Sequence, residues 1–283
     1  MTNFERDSIA LKSYVHFLRN NKKTFSIKHG TYTTTIETPH GKTKYQTTNF
    51  SDRVFIAAKM IKKDAMSTAK GREICETEHN KVNFGSADNL KPFTADRVLN
   101  IDISSAYATC LLVSGLITQR TFDYLKTLKK EERLPAVGML ARSNCTWKYI
   151  NGVCDDIIVY REPTAELFFY IIEEINYVMR SLQWELGRNF YFYWVDGVFF
   201  DWNTPKGLVS RCENILQESG YPYKYELVEN FVLKKDTREV FTIEMIKNSE
   251  FKRYQFSKKN DSKEVRKYLI ELAEGSQNNK ITL

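Results

Sequence analysis

Two aspartates at the ends of apolar runs are the residues of this chain best suited to chemistry. Asp102 directly follows the strand-like run 98–101, and Asp196 lies within 191–200, the most apolar and aromatic stretch of the sequence. A carboxylate in such surroundings is costly unless it is paired or binds a cation. The two aspartates therefore predict a shared divalent-cation site. The structural alternatives are a helix N-cap for Asp102 and a simple turn position for Asp196.

The remaining ligand types favour a hard cation held by oxygen atoms. Mg²⁺ (or Mn²⁺) binds carboxylate oxygens and substrate phosphates, and a pair of such ions can stabilise both oxygens of a phosphoryl transfer. All four histidines lie within the first 79 residues, and the five cysteines are scattered without a Cys-x-x-Cys pattern. Zinc is therefore disfavoured, and the cysteines are expected to be the reduced thiols of a cytoplasmic protein.

The elements that must position Asp102 and Asp196 follow from hydrophobic periodicity and turn signals. The sequence predicts a strand at 97–103, helices at 104–113 and 118–133, and a long amphipathic helix at 164–187. The Asp196 hairpin, with a turn at Asp-Gly, follows at 191–200. A further helix at 205–219 and three strands at 223–234, 238–246 and 251–256 complete the order. Without the insertion at about 114–150, this order is close to βαββαβ, an antiparallel sheet with helices on one face. In that α+β fold the strand of Asp102 and the hairpin of Asp196 can be neighbours.

The N-terminal third carries the whole excess of positive charge. Residues 1–97 hold 17 Lys and Arg against 10 Asp and Glu, an excess of seven, which equals the net charge of the chain. The elements predicted here are a helix at 4–20, a hairpin at 24–48, a basic helix at 52–70 and a polar linker at 76–97. A basic lobe indicates a polyanionic partner, and the alternative is a basic surface without a specific partner.

Composition excludes several classes of protein. The 283 residues fit one large or two small domains, and 42% hydrophobic residues with 13% aromatics are enough for a core, so wholesale disorder is excluded. No apolar run is long enough for a membrane span, and the first residues lack a signal-peptide pattern. The sequence therefore predicts a soluble cytoplasmic protein without a membrane partner.

Residues 102–109 (DISSAYAT) resemble motif A of the family B DNA polymerases, Asp-x-x-Ser-Leu-Tyr-Pro-Ser. The resemblance implies that Asp102 and the backbone of Ile103 bind the catalytic metal. It also implies that Ser105, Ala106 and Tyr107 contact the nucleotide, with the ring of Tyr107 excluding a ribose 2′-hydroxyl.

Residues 196–199 (DGVF) resemble the end of motif C, Tyr-x-Asp-Thr-Asp-Ser-Val-Phe. In that register Asp196 is the second metal-binding aspartate. Trp194 stands in the place of the first aspartate of the motif, which is a departure from the family pattern.

Residues 130–138 (KEERLPAVG) keep the Lys and Gly of motif B, Lys-x-x-x-Asn-Ser-x-Tyr-Gly, and lose its Asn and Tyr. The resemblance implies that Lys130, helped by Lys126 and Arg133, contacts the triphosphate. Pro135 is expected to end the helix, which makes the fingers short. Residues 251–254 (FKRY) resemble the Lys-Lys-Arg-Tyr strand, so Lys252, Arg253 and Tyr254 are expected to hold the primer–template.

The resemblance covers about residues 97–256, and the order of its short motifs makes it more specific than any one of them. It implies a polymerase-type palm with short fingers over 97–256, without an exonuclease or a full thumb. A basic lobe over 1–96 and a short helix or tail over 257–283 complete the predicted organisation. Lys59, Lys62 and Lys63 of the lobe are expected to contact DNA.

The implied activity is template-directed DNA synthesis in DNA replication, in which two Mg²⁺ (or Mn²⁺) ions serve phosphoryl transfer from a dNTP to the 3′-hydroxyl of a DNA primer–template; priming is left open. Such a reduced enzyme suits a virus or mobile element. The alternatives are an inactive, polymerase-derived nucleic-acid-binding protein and a primase or reverse transcriptase on a similar palm. The single aspartate of the Asp196 hairpin disfavours a reverse transcriptase.

Overall fold

The computed structural model describes residues 3–30, 33–46, 50–79, 91–141, 143–236 and 240–257. These residues form eight α-helices and two antiparallel sheets, so the predicted α+β class is confirmed. The chain divides into two compact units, one of residues 1–78 and 116–168 and one of residues 79–115 and 169–283. The helix predicted within 257–283 and half of the predicted linker, residues 80–90, lie outside the described residues.

The bounds of the elements, in chain order, are as follows. The helices are α1 (Asn3–Asn20), α2 (Asp52–Ser67), α3 (Ala69–Glu76), α4 (Ala106–Val113), α5 (Gln119–Thr127), α6 (Lys130–Gly138), α7 (Ala165–Leu186) and α8 (Lys206–Glu218). The strands are β1 (Phe25–His29), β2 (Thr33–Thr38), β3 (Gly41–Gln46), β4 (Phe93–Ile103), β5 (Ser143–Ile150), β6 (Val153–Arg161), β7 (Phe190–Trp194), β8 (Gly197–Asp201), β9 (Tyr223–Lys235), β10 (Val240–Lys247) and β11 (Glu250–Ser257).

The first unit contains a five-stranded sheet in the order β3-β2-β1-β5-β6. Helix α1 packs on it through the face that its periodicity predicts, and the shared cluster includes Leu11, Tyr14, Val15, Leu18, Phe25, Ile27, Ile36 and Tyr149. Strand β5 pairs with β1, with Phe25 opposite Tyr149. This pairing joins the predicted insertion to the N-terminal lobe. The unit boundaries therefore differ from those expected, because the inserted segment runs to 168 and belongs to the first unit.

The charge of the chain follows this division. The first unit holds 22 Lys and Arg against 15 Asp and Glu, and the second unit holds 20 of each. The whole excess of seven positive charges therefore lies in the first unit.

The second unit contains a six-stranded sheet in the order β11-β10-β9-β4-β8-β7. Because side chains alternate along β4, Ile101 and Ile103 lie on one face and Asn100 and Asp102 on the other. Helix α7 lies against the face of Ile101, since the Tyr193 hydroxyl on that face donates to the Asn176 side chain. The opposite face carries an aromatic and aliphatic cluster and, at one end, the polar residues described below; its members include Val98, Phe192, Phe199, Val228 and Phe241.

Two helices differ from their predictions for identifiable reasons. The single helix predicted over 118–133 is divided into α5 and α6, because Leu128 is extended and buried and a new helix begins at Lys130. Glu132 fixes this start by accepting hydrogen bonds from the Lys129 backbone and the Ser51 hydroxyl. The expectation that Pro135 ends the helix is wrong: α6 continues through Pro135, which removes only one hydrogen-bond donor from a short helix.

Smaller differences concern element boundaries. The predicted hairpin over 24–48 is a three-stranded meander, and the basic helix over 52–70 ends at Ser67, where the Thr68 side chain caps α3 by accepting from the Gly71 N–H. Strand β4 begins at Phe93, earlier than expected. Within the described ranges, no helix combines the length and the apolar character needed to cross a membrane.

Candidate functional site

Asp102 and Asp196 lie next to each other at one end of the β4–β8 ladder. Asp102 pairs with Gly197, and the Ile103 N–H donates to the Asp196 carbonyl at 2.9 Å. Trp194 pairs with Gly197, so the two-residue turn of the hairpin is Val195-Asp196. The turn is thus one residue earlier than the Asp-Gly turn predicted from the sequence. Asp196 stands at the hairpin tip, beside the end of the strand that carries Asp102.

Two residues close in sequence to Asp196 and Asp102 have backbone conformations that are unfavourable in free energy. Val195 has a φ of 54° and Ser105 has a φ of 55°, both in the left-handed region. A β-branched residue such as Val195 is rare there, and such positions cost about 1–3 kcal/mol unless the surroundings fix them. The turn after β4 is fixed in part by the Ser104 N–H, which donates to the Pro222 carbonyl at 2.7 Å. Backbone strain of this kind is concentrated at functional sites.

A small space above Gly197 is bordered by two oxygen atoms. A Cβ on residue 197 would lie 3.1 Å from Asn100 Oδ1 and 3.6 Å from Asp102 Oδ1. Asn100 is 4% exposed, and its Nδ2 donates to Glu226 Oε2 at 3.1 Å. Its Oδ1 is buried and has no hydrogen-bond partner among the residues that the structure describes. An unsatisfied buried acceptor costs about 1–3 kcal/mol, so this oxygen is suited to a ligand or to its water.

A network of ion pairs flanks Asp102 on the β9 side. Lys224 Nζ lies 3.3 Å from Asp102 Oδ2 and 2.8 Å from Glu226 Oε1, and Lys247 pairs with Glu226 Oε2. The hydrogen bond to Glu226, together with the charge of Asp102, raises the pKa of Lys224. Burial opposes ionisation of Glu226, but the hydrogen bonds from Lys224 and Lys247 hold its pKa below the ordinary value. Both groups are therefore charged at neutral pH.

Tyr107 lies in the first turn of α4, close enough to Asp196 for the negative charge of Asp196 to disfavour ionisation of the phenol. Burial, followed by the negative charge of Asp196, raises the pKa of the Tyr107 phenol above its ordinary value. Tyr107 is half-buried, as is Ser105 before the helix, whereas Ala106 is fully buried. The structure thus brings Asp102, Asp196 and Tyr107 together in the second unit.

The donor set fits a hard cation that is completed by water and substrate. Among the described residues, no group of three or more His, Cys, Asp or Glu side chains is arranged to hold a metal ion. Two aspartates are, however, enough for a Mg²⁺ site that keeps several waters and gains substrate phosphates. Asp102, Asp196 and the Ile103 backbone would hold the ion. The unpaired Asn100 oxygen and the space above Gly197 suit its hydration shell.

Four residues of this site escaped the sequence prediction: Asn100, Gly197, Lys224 and Glu226. A weak signal for Asn100 exists, because it is the one polar residue in the run 98–101 and lies two positions before Asp102, on the same face. Lys224 and Glu226 alternate in the same way along β9. Their place beside Asp102 depends on the β4–β9 register, which the sequence does not reveal.

The residues predicted to meet the triphosphate belong to the first unit. Lys126 is exposed in the last turn of α5, with its Nζ 5.4 Å from the centroid of the Phe122 ring. Lys130 is exposed at the start of α6, and Arg133 is half-buried one turn later. The continuous helical spacing expected for these cations is wrong, because two helices carry them.

The residues predicted to hold DNA lie on α2 and β11. On α2, Lys59 and Lys63 are exposed, whereas Lys62 forms an ion pair with Glu162. Strand β11, predicted at 251–256, is the edge strand of the second sheet. It carries Lys252, Arg253 and an exposed Tyr254; Lys252 pairs with Glu250, and Arg253 Nε lies 3.7 Å from Glu244 Oε1.

In comparisons with known proteins, no family model matches the chain, and a search of curated proteins finds no significant match.

Proposed function

We propose that the protein is a template-directed nucleotidyltransferase, a minimal DNA polymerase of the family B type. The observation that carries this proposal is the cross-strand neighbourhood of Asp102 and the Asp196-Gly197 pair. The two motifs are 94 residues apart in sequence, yet the sheet register pairs Asp102 with Gly197, the residue next to Asp196. The nearness of Tyr107 to Asp196 adds a group suited to a sugar ring.

Asp102 and Asp196 would hold the Mg²⁺ or Mn²⁺, whose chemistry is to activate the primer 3′-hydroxyl and to stabilise the leaving pyrophosphate. The Asn100 carboxamide would accept a hydrogen bond from water at the site. Tyr107 is protonated at neutral pH, as an unperturbed phenol also is, so its uncharged ring can lie against the deoxyribose. The 2′-hydroxyl of a ribonucleotide would then clash sterically with the ring.

The charge of the first unit supports a nucleic-acid partner. Its excess of seven positive charges is the sequence-independent attraction that binding to a phosphate backbone requires. Lys59 and Lys63 are exposed and are suited to phosphate contacts, while Lys62 is engaged by Glu162. We infer a DNA primer–template as the partner and dNTPs as the substrates.

A primer-extension assay tests the proposal. Wild-type protein is expected to extend a DNA primer in the presence of Mg²⁺ or Mn²⁺, and Asp102→Asn and Asp196→Asn to reduce extension by at least about a hundredfold, since each removes a metal ligand. Asp201→Asn is the matched control, because Asp201 lies at the opposite end of β8. Extension by Asp102→Asn or Asp196→Asn at the wild-type rate would contradict the proposal. RNA templates and unprimed templates identify a reverse transcriptase or a primase.

A second candidate is a non-catalytic nucleic-acid-binding protein. It is favoured by the ion pair between Lys224 and Asp102, which occupies a predicted metal ligand, and by the lost Asn and Tyr of motif B. Mg²⁺-dependent dNTP binding separates the two candidates. A binding protein without catalysis is expected to bind DNA and to show no dNTP affinity that depends on the metal.

A further inference from the structure

The Lys224 ammonium lies between two carboxylates, those of Asp102 and Glu226. We propose that Lys224 is the counter-ion of Asp102 when no divalent cation is bound, and that Glu226 retains Lys224 when a cation takes its place at Asp102. This inference rests on the proposed metal role of Asp102. It assigns functions to two residues that the resemblance to polymerases leaves without one.

The register of β4 and β9 places these groups together. Asp102 lies opposite Lys224, and Asn100 lies opposite Glu226, so all four side chains share one face of the sheet. Lys224 reaches Asp102 from the β9 side, while Gly197 adjoins Asp102 on the β8 side. The lysine and the space above Gly197 thus flank the same carboxylate from opposite neighbours.

Glu226 is the fixed member of the pair. It accepts from Lys224 at 2.8 Å and from Asn100 Nδ2 at 3.1 Å, and it also pairs with Lys247. Its side chain is 13% exposed, whereas the side chain of Lys224 is 53% exposed. Lys224 is also nearer to Glu226 than to Asp102. Lys224 can therefore leave Asp102 by a small movement and still keep its bond to Glu226.

This arrangement makes metal affinity a competition. A divalent cation must displace one positive charge from Asp102, so removal of Lys224 should strengthen cation binding. Removal of the Glu226 charge should weaken it, because Lys224 would then belong to Asp102 alone. The two substitutions are thus expected to change affinity in opposite directions. For a partly exposed pair, each change should be about two- to fivefold.

Titration with Mn²⁺, followed by the electron paramagnetic resonance signal of the free ion, measures this competition without relying on activity. Lys224→Gln is expected to bind Mn²⁺ about two- to fivefold more tightly than wild type, and Glu226→Gln to bind it more weakly by a similar factor. The matched controls are Lys234→Gln and Glu244→Gln, because these residues form an ion pair in the same sheet and Lys234 is 52% exposed. Both controls should retain wild-type affinity.

Two further variants separate the effect of the Lys224 charge from other effects of substitution and test whether the cation binds at Asp102. Lys224→Arg keeps the positive charge and should retain wild-type affinity, which separates charge from general disturbance of the strand. If Lys224→Gln binds Mn²⁺ no more tightly than Lys234→Gln, the counter-ion role is wrong. If Asp102→Asn binds Mn²⁺ as well as wild type, the cation is not at Asp102, and the proposed function falls with the inference.

Discussion

Substitution of Gly197 by alanine tests the space beside Asp102 with a single methyl group. Gly197 lies in β8 and does not have a positive φ, so the backbone accepts alanine. Alanine restricts the unfolded chain, which stabilises a protein by about 0.4–1 kcal/mol at a compatible position. The new Cβ would approach Asn100 Oδ1 to 3.1 Å, and the carboxamide must move by a few tenths of an ångström. These effects oppose each other, so the free energy of unfolding should change by less than about 1 kcal/mol.

The effect on cation binding should be much larger. The new methyl carbon would lie 3.6 Å from Asp102 Oδ1. A Mg²⁺ ion lies about 2.0–2.1 Å from a ligand oxygen, so the methyl would occupy the place of a water ligand on that side. We expect at least about a tenfold loss of cation affinity, which corresponds to about 1.4 kcal/mol.

The assay is single-nucleotide incorporation as a function of Mg²⁺ concentration, with thermal melting measured in parallel. Gly197→Ala should raise the concentration that gives half of the maximal rate by at least about tenfold, with little change in Tm. Gly207→Ala in α8 is the control, because outside its chain neighbours and its own helical turn a Cβ there would meet no atom of the described residues within 4 Å. An unchanged Mg²⁺ requirement in Gly197→Ala would refute the reasoning that this space belongs to the metal site.

Three further predictions concern other parts of the chain. Tyr107→Ala should raise ribonucleotide incorporation relative to deoxyribonucleotide by at least about tenfold in competition assays, since the ring no longer blocks the 2′-hydroxyl; unchanged discrimination would remove this role. Asp64→Ala should destabilise the protein by about 2 kcal/mol at pH 7 in denaturant titrations, because Asp64 accepts three hydrogen bonds at the start of α5. Burial opposes ionisation of Asp64, but these hydrogen bonds outweigh it and lower the pKa of Asp64. The difference in stability between wild type and Asp64→Ala should therefore shrink as the pH falls below about 3.9 and through the folded-state pKa. A stability difference that persists at lower pH would contradict this. Lys59→Gln and Lys63→Gln should each weaken DNA binding and reduce the salt slope by about one in fluorescence anisotropy, and an unchanged slope would exclude phosphate contacts.

Elements with strong local patterns were predictable from the sequence. Helices α1 and α7 lie within two residues of their predicted bounds, because their apolar residues recur at helical spacing. The hairpin of Asp196 and the strand of Asp102 were also expected to be neighbours. That expectation depended on the order of the elements, and the β4–β8 pairing agrees with it.

The strand pairing and the helix boundary that the sequence did not predict depend on contacts between residues far apart in sequence. Strand β5 lies beside β1, more than a hundred residues earlier, and no local pattern indicates that pairing. The β5–β6 hairpin had a local signal that went unused: Asn151-Gly152 is a strong turn pair, and both residues have a positive φ. The break between α5 and α6 depends on Glu132, whose partner Ser51 lies in a distant segment.

The electrostatic surroundings of Asp102 were likewise hidden. In the sequence, Lys224 and Glu226 have the pattern of ordinary alternating polar residues of a strand. Only the β4–β9 register shows that they lie opposite Asp102 and Asn100. The hairpin turn shows the limit of turn propensity in another way. Asp-Gly favours a turn at 196–197, yet cross-strand pairing of Trp194 with Gly197 moves the turn to Val195-Asp196 at the cost of a strained valine.

The most direct test of the shared metal site is a calorimetric titration of Mn²⁺ into wild-type protein and three single variants. Asp102→Asn and Asp196→Asn should each lose at least about tenfold in affinity, because each removes one of two carboxylate ligands. Asp201→Asn, on the same strand as Gly197, should bind as wild type does. Wild-type affinity in Asp102→Asn or in Asp196→Asn would contradict the claim that these two aspartates hold one divalent-cation site.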